Sequence, residues 1–388
     1  MKKEHIIVIK FAALLLIVFF GQAFTYALII PYLTDLGYNA MQQGWIFAFG
    51  AVLTIIGQFI CGYLCDKLKT DKKVYYVTSV AFMVVNWLFY SVGDQPVALV
   101  VLWAGLLTAL FRIVLGIQDA WIIECDKYCL ENYGLIRAFG AIGWTIGALV
   151  MVYFVNRWGY TSLGTSFVLF TVISLLIAMI IPDAKKEESA KKLAMADVKS
   201  LMLNRNFIIL TLVFLFLSVI GNADGYTVIG KMTALQATTE EISWKWSFQA
   251  MCELPLFFLG GWIIKKFGAV RLVIFAAAMY VFRFALSAMV TSPIALVGIS
   301  AFQMVTYPIV LVCSKQLIDD VSPANLRASG QQISSALYTG ISMLVSPILS
   351  GFLVESYSHD VALYVMAACC IIPIVLLIYY SRQKTVKQ

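Results

Sequence analysis

An α-helix needs about 20 consecutive, mainly apolar residues to cross the hydrocarbon core of a bilayer, and this chain supplies such stretches from end to end, with short polar breaks between them. Twelve can be placed, at roughly 6–33, 41–65, 74–92, 96–125, 136–156, 161–181, 206–230, 243–264, 270–290, 293–317, 327–353 and 361–381. Only 13% of the residues are charged and 61% are hydrophobic, against roughly a quarter charged in a soluble domain. A water-soluble core cannot account for that balance, so the expected fold class is an all-α, multi-pass membrane protein. Met1-Lys2-Lys3 ahead of an apolar run has the outline of a secretory leader, but the run is too long for a leader and reads as the first span.

Placement of charge matters more than the formal +7, which in a soluble chain would suggest a nucleic-acid partner. With the N-terminus in the cytoplasm, all Lys and Arg fall on that side except Arg112, Arg157, Lys231, Lys245 and Arg283. The stretches from Lys67 to Lys73, Lys185 to Arg205, Lys265 to Arg271 and Arg382 to Lys387 then become cytoplasmic. Cytoplasmic loops carry the excess of positive charge. Both termini are therefore expected on the cytoplasmic side of the plasma membrane, the inner membrane of its cell.

The one long hydrophilic connection, Asp183 to Arg205, lies near the midpoint. It divides the chain into an expected six-helix bundle at 1–183, a cytoplasmic linker at 184–205 and a second six-helix bundle at 206–388. Within the linker, Leu193, Val198, Leu201 and Met202 recur at near-helical spacing among lysines, which fits a helix on the membrane surface or a solvated one. Duplication leaves an echo. Gly21-Gln22-Ala23-Phe24-Thr25-Tyr26 recurs 200 residues on as Gly221-Asn222-Ala223-Asp224-Gly225-Tyr226, and Gly62-Tyr63-Leu64-Cys65-Asp66 at nearly that offset as Gly261-Trp262-Ile263-Ile264-Lys265.

Gly62 to Asp66 and its echo each close an even-numbered span at the cytoplasmic face, where Gly permits close helix contact and charges can latch neighbouring helices. Gly62, Asp66 and Lys67 are the expected conformational-switch loop. The block Gly62-Tyr63-Leu64-Cys65-Asp66-Lys67-Leu68 followed by Lys72-Lys73 resembles the loop signature of the major facilitator superfamily. That resemblance implies twelve helices in two pseudo-symmetric six-helix bundles and transport by alternating access.

Ionisable groups at membrane depth are costly and mark functional sites by default. Here they are Arg112, Asp119, Glu124, Asp224, Lys231, Glu253 and Arg283, with Arg137 and Trp144 on the fifth span. Arg112 and Asp119 stand seven residues apart on one helix face, two turns from each other. Asp119 can pair with Arg112, as a structural pair, or with Arg137, as part of a ligand site, and spacing leaves both open. Asp224 and Lys231 are also seven apart and can neutralise each other, unless Lys231 reaches the outer interface. Met251-Cys252-Glu253-Leu254-Pro255 puts an acid mid-span, with Pro255 expected to loosen the helix. Gln22 and Tyr26, ahead of Pro31, are expected cavity residues.

The run from Asp119 to Arg137-Ala138-Phe139-Gly140-Ala141-Ile142-Gly143-Trp144 is similar without gaps to helices four and five of the lactose-permease branch, the oligosaccharide:proton symporters. The resemblance implies Asp119 and Arg137 as sugar-hydroxyl ligands and Trp144 as a stacking platform, in keeping with acceptor, forked donor and indole face. Asp119 is one methylene shorter than that family's acid. Glu253 resembles the family's helix-eight glutamate after a three-residue shift and is expected to bind solute or a proton. Arg283 matches the helix-nine arginine in its spacing from Gly268, with Glu253 or Asp224 as expected partner. On helix ten, Ser300, Gln303 and Thr306 ahead of Pro308 replace the family's lysine, histidine and glutamate, and Gln303 is expected to keep a solute contact. Proton coupling, if retained, has moved to Glu253, Asp224 or Asp119, with Arg283 and Arg112 as ion-pair partners.

The chain carries no HExxH, GxSxG or P-loop and only two histidines, His5 and His359, so a membrane enzyme is not expected. Cys61/Cys65 and Cys125/Cys129 share helix faces at i, i+4 but lack further ligands, so free thiols are expected rather than a metal site. The expected reading is a monomeric secondary transporter of a sugar or oligosaccharide with no cofactor. Its partners are a small solute, protons and membrane lipid, and not nucleic acid. The alternatives are a nucleoside or aromatic-acid permease of the same superfamily and an uncoupled sugar facilitator.

Overall fold

The computed structural model describes residues 3–91, 96–184, 201, 203–323 and 326–386. Of the expected linker, residues 185–200 and 202 lie outside that set, and with them the expected surface helix at Leu193, Val198 and Met202. The described residues are helical throughout, with no strand among them. In order they form α1 (Lys3–Tyr26), α2 (Ile29–Asp35), α3 (Ala40–Leu68), α4 (Asp71–Ser91), α5 (Val97–Cys125), α6 (Lys127–Glu131), α7 (Tyr133–Trp158) and α8 (Thr161–Met179). There follow α9 (Arg205–Ala223), α10 (Ile229–Ala234), α11 (Thr239–Phe267), α12 (Ala269–Met289), α13 (Pro293–Ile299), α14 (Tyr307–Val321), α15 (Arg327–Ser356), α16 (His359–Cys369) and α17 (Ile371–Val386). Among the described residues, eleven helical runs are long and apolar enough to cross a membrane, and α11 is a further helix of 29 residues. The twelve expected spans are accounted for.

Four spans are interrupted, three of them just ahead of a proline: α1 gives way to α2 before Pro31, α13 to α14 before Pro308, and α16 to α17 before Pro373. Proline offers no N–H to the carbonyl four residues back and disfavours helical geometry in its predecessor. Each restart places the proline in a first turn, where a missing N–H costs nothing. The fourth interruption is a π-helical turn, Asp224–Val228, between α9 and α10. Pro255 behaves otherwise than expected, since α11 runs unbroken through it.

The chain forms two compact units. Unit 1 comprises Met1–Tyr38, Ile46–Ala190 and Ala237–Met251; unit 2 comprises Asn39–Trp45, Lys191–Gln236 and Cys252–Gln388. In unit 1, α1 packs along α7 and α8, and α4 along α5 and α8. Lipid is as apolar as leucine, so such packing depends on how closely helices approach. A Cβ at Gly143 would lie 2.1 Å from the Leu16 carbonyl oxygen and one at Gly147 2.4 Å from that of Phe20. These glycines of α7 thus form the seam on which α1 lies. Gly62 differs: a Cβ there would meet nothing within 4 Å, so it does not serve the close helix contact expected of it.

The expected switch-loop sequence closes α3, which ends at Leu68. Lys69 adopts a left-handed conformation (φ 49°), its N–H bonds to the Asp66 carbonyl, and that of Thr70 bonds to Cys65, the pattern that closes helices at a left-handed residue. Asp66 and Lys67 are exposed. The next helix is capped from a distance. Asp183 accepts from the Lys72 N–H at 3.0 Å and from the Thr70 hydroxyl, while the Lys72 ammonium donates to the Met179 and Ile181 carbonyls at the end of α8.

In unit 2, α9 packs against α15 and α17, and α12 against α14, α16 and α17. Large apolar side chains such as Phe59, 75% exposed, and Val77, 70% exposed, face outward, as lipid contact requires. None of the eight cysteines is joined in a disulfide.

Gly143→Leu should lower unfolding stability by about 1–3 kcal/mol, because the clash is with backbone. Gly62→Ala should leave stability unchanged or raise it by about 0.5–1 kcal/mol. Denaturant unfolding of the detergent-purified protein checks both.

Candidate functional site

In unit 1, α5 carries Arg112 and Asp119 and α7 carries Arg137 and Trp144. A seven-residue step advances about 10.5 Å along a helix, too far for an unbent Arg112–Asp119 contact, and the structure brings Asp119 to Arg137: Oδ1 and Nη1 lie 3.6 Å apart. Arg112 lies over the Phe111 ring instead, 5.8 Å from its centroid. The Arg137 guanidinium is 4.6 Å from the Phe19 centroid. At 3.6 Å the ions attract without a hydrogen bond, and neither Asp119 Oδ1 nor Arg137 Nη1 has another hydrogen-bond partner. Both side chains are about a third exposed, at 33% and 35%. The two facing atoms are themselves buried, so this is a pair with unspent hydrogen-bonding capacity at its centre.

Trp144, half-buried, belongs to a row of aromatic rings. Tyr26 stacks on Phe111 at 5.1 Å and 24°, Phe111 meets Trp144 edge-on at 6.3 Å, and Trp144 meets Trp246 of α11 edge-on at 6.1 Å. Of the two first-span candidates, Tyr26 thus joins the row. Gln22 does not: it is 0% exposed and lines a small cavity inside unit 1 with Tyr75 and Ser79.

In unit 2 the charges pair differently from their sequence spacing. Asp224 and Lys231 do not neutralise each other. The π turn places Asp224 Oδ1 2.8 Å from Arg283 Nη2, both side chains almost fully buried. Lys231 donates to the Ser287 and Ala288 carbonyls at 2.8 and 2.9 Å and lies 2.6 Å from Asp360, which occupies all three of its N–H groups. Arg283 Nη1 also donates to Gln303 Oε1, and Gln303 Nε2 donates to Glu253 Oε1 at 2.9 Å. The structure therefore gives Arg283 both expected partners, Asp224 directly and Glu253 through one amide. Among the described residues no cluster of His, Cys, Asp or Glu could hold a metal.

With this geometry in hand, the family comparison is decisive: residues 3–366 match the MFS_1 like family. The chain belongs to that family. It is a transporter of the major facilitator superfamily. It is 20% identical over 374 residues to the maltose permease of Geobacillus stearothermophilus, covering 95% of this chain and 93% of that one. It is 22% identical over 375 residues to the raffinose permease of Escherichia coli, covering 90% and 86%. Its fold resembles that of a mutant form of the nucleoside transporter NupG, with a TM-score of 0.83, 14% identity and coverage of 96% of this chain and 99% of that one.

Within this major facilitator fold, sequence reasoning missed Asp360, Trp246 and Asp183. Asp360 carried a signal: it follows the helix-capping Ser358 at the acid-favouring start of a helix. Pro31 announced an unpaired carbonyl at Ala27, but nothing local announced Trp246 as its donor.

Asp224→Asn and Arg283→Met should each cost about 3–5 kcal/mol of stability, since each strands a buried charge. The double variant should be more stable than either single one. Denaturant titration of the three proteins provides the comparison.

Proposed function

We propose that the protein is a secondary transporter of a sugar or oligosaccharide in the cytoplasmic membrane, working by alternating access and coupled to protons. The Asp119–Arg137 pair carries the reading: donor and acceptor atoms 3.6 Å apart, neither hydrogen-bonded, on the same two helices as Phe111 and Trp144 of the aromatic row. Sugar hydroxyls both donate and accept, and pyranose C–H faces pack on indole. The names of the maltose and raffinose permeases support the same solute class. Segments 1–183 and 206–388 are read as the repeated bundles, with both termini cytoplasmic and the protein monomeric.

Glu253 is the preferred proton or solute carboxylate, because Asp224 is committed to Arg283 and the tenth span has Ser300, Gln303 and Thr306 where an acid would be expected. Gln303 and Arg283 hold Glu253 in place, and Arg112 supports the aromatic row. Gln22 acts from inside the bundle rather than as a solute contact. Gly62, Asp66 and Lys67 shape the helix end beside the Asp183 cap. The aromatic row would also stack a nucleobase, which makes a nucleoside carrier the second reading.

A thermal-shift screen of the purified protein against sugars, nucleosides and aromatic acids tests the solute class, because a ligand of the native state raises apparent stability. Sugars should raise the melting temperature, and a response to nucleosides alone would overturn the reading. Arg137→Ala should weaken sugar binding by about 10- to 100-fold, the loss of a charged hydrogen bond. In proteoliposomes an inward proton gradient should drive sugar accumulation. Uptake indifferent to that gradient would leave an uncoupled facilitator.

A further inference from the structure

We propose that Trp246 is a second stacking surface for the solute, so that unit 1 is built for two linked rings rather than one; the proposal rests on the sugar reading above. The first support is a fixed orientation. Pro31 leaves the Ala27 carbonyl without its helical donor, and the Trp246 indole N–H donates to that oxygen at 3.1 Å. The one polar atom of the side chain is thereby spent, and what remains to offer is an apolar ring held at a set angle.

The backbone beneath it is fastened as well. One turn or less to either side, the hydroxyls of Ser243 and Ser247 donate to the Ala148 and Thr145 carbonyls of α7, and Thr145 adjoins Trp144. Trp246 is therefore held in register with the expected stacking platform. The two indoles stand 6.1 Å apart at 77°, forming a corner in place of a flat wall. Both are half-buried, so neither is sealed into a core as Trp121 is, at 0% exposure.

Two neighbours define which surface a solute can use. The Lys245 ammonium sits 4.0 Å from the Trp246 ring centroid, so one face is engaged by cation–π attraction and a solute would have to use the other. Phe111, itself stacked on Tyr26, supports Trp144 from its own side. Two rings joined through a glycosidic oxygen are close together but not coplanar, and a corner of two perpendicular aromatic faces suits that shape. A single pyranose would use Trp144 alone.

The test measures binding of maltose, melibiose and raffinose against glucose and galactose in purified wild type, Trp246→Leu and Trp246→Phe. Wild type should bind at least one of the larger sugars more tightly than either monosaccharide. Trp246→Leu, which keeps apolar bulk but no ring, should lose about tenfold in that affinity, the size of one aromatic contact, with monosaccharide binding unchanged. Trp246→Phe, which keeps a ring but not the indole N–H that fixes its angle, should restore part of it. Equal losses for large and small sugars in Trp246→Leu, or none, would overturn the second surface while leaving a sugar carrier. Wild type binding no sugar at all would overturn both. A cooperative thermal transition in each variant confirms that the comparison is between folded proteins.

Discussion

In hydrocarbon, a backbone carbonyl without a partner has no water to turn to, and the side chains that answer this constraint organise both units. The Ala27 carbonyl, stranded by Pro31, takes the Trp246 indole. The last carbonyls of α8 take Lys72, and Ile180 takes Lys10. Those ending α12 take Lys231. Three of these four donors are lysines at helix C-termini, where the aligned peptide dipoles also favour positive charge. Each tie joins elements distant in sequence, so satisfying the backbone and assembling the bundle are one event.

Much of the architecture was legible because its signals are local. Span length follows from bilayer thickness and composition, whereas the breaks fall ahead of Pro31, Pro308 and Pro373, where none was expected, and α11 runs unbroken through Pro255, where loosening was expected. Pairings were less legible, since the same spacing serves opposite outcomes. Arg112/Asp119 and Asp224/Lys231 are both seven apart, yet Asp119, Asp224 and Lys231 look outward to other helices, to Arg137, Arg283 and Asp360, and Arg112 lies over its neighbour Phe111. A helix face specifies a direction and not a partner. Gly62 and Gly143 make the same point for packing: one meets open space and the other a backbone oxygen at 2.1 Å. The glycines read as part of a sugar-binding signature serve first to let α1 approach, and the side chains between them are presented as a result.

The buried chemistry of unit 2 contains more than an ion pair. Asp224 neutralises Arg283, but a guanidinium has five donors, and one of the remainder reaches the Gln303 oxygen. With its oxygen turned to Arg283, the amide directs its N–H groups the other way and offers one to Glu253. Burial of two opposite charges contributes little net stability by itself. What the arrangement adds is a link from a fully buried pair to a less buried carboxylate without a titratable group between them, so no proton can pass along it by way of Gln303.

An amide has a head and a tail, and that gives the sequence Asp224, Arg283, Gln303, Glu253 a polarity that its charges alone would not. Exchanging Asp224 and Arg283 would preserve Coulombic attraction, as charge swaps do in symmetric pairs. It would also present a carboxylate to Gln303, turn the amide over, and set its oxygen against that of Glu253. This ion pair cannot be inverted in isolation. Its handedness is set by the uncharged side chain that Arg283 bonds directly, Gln303.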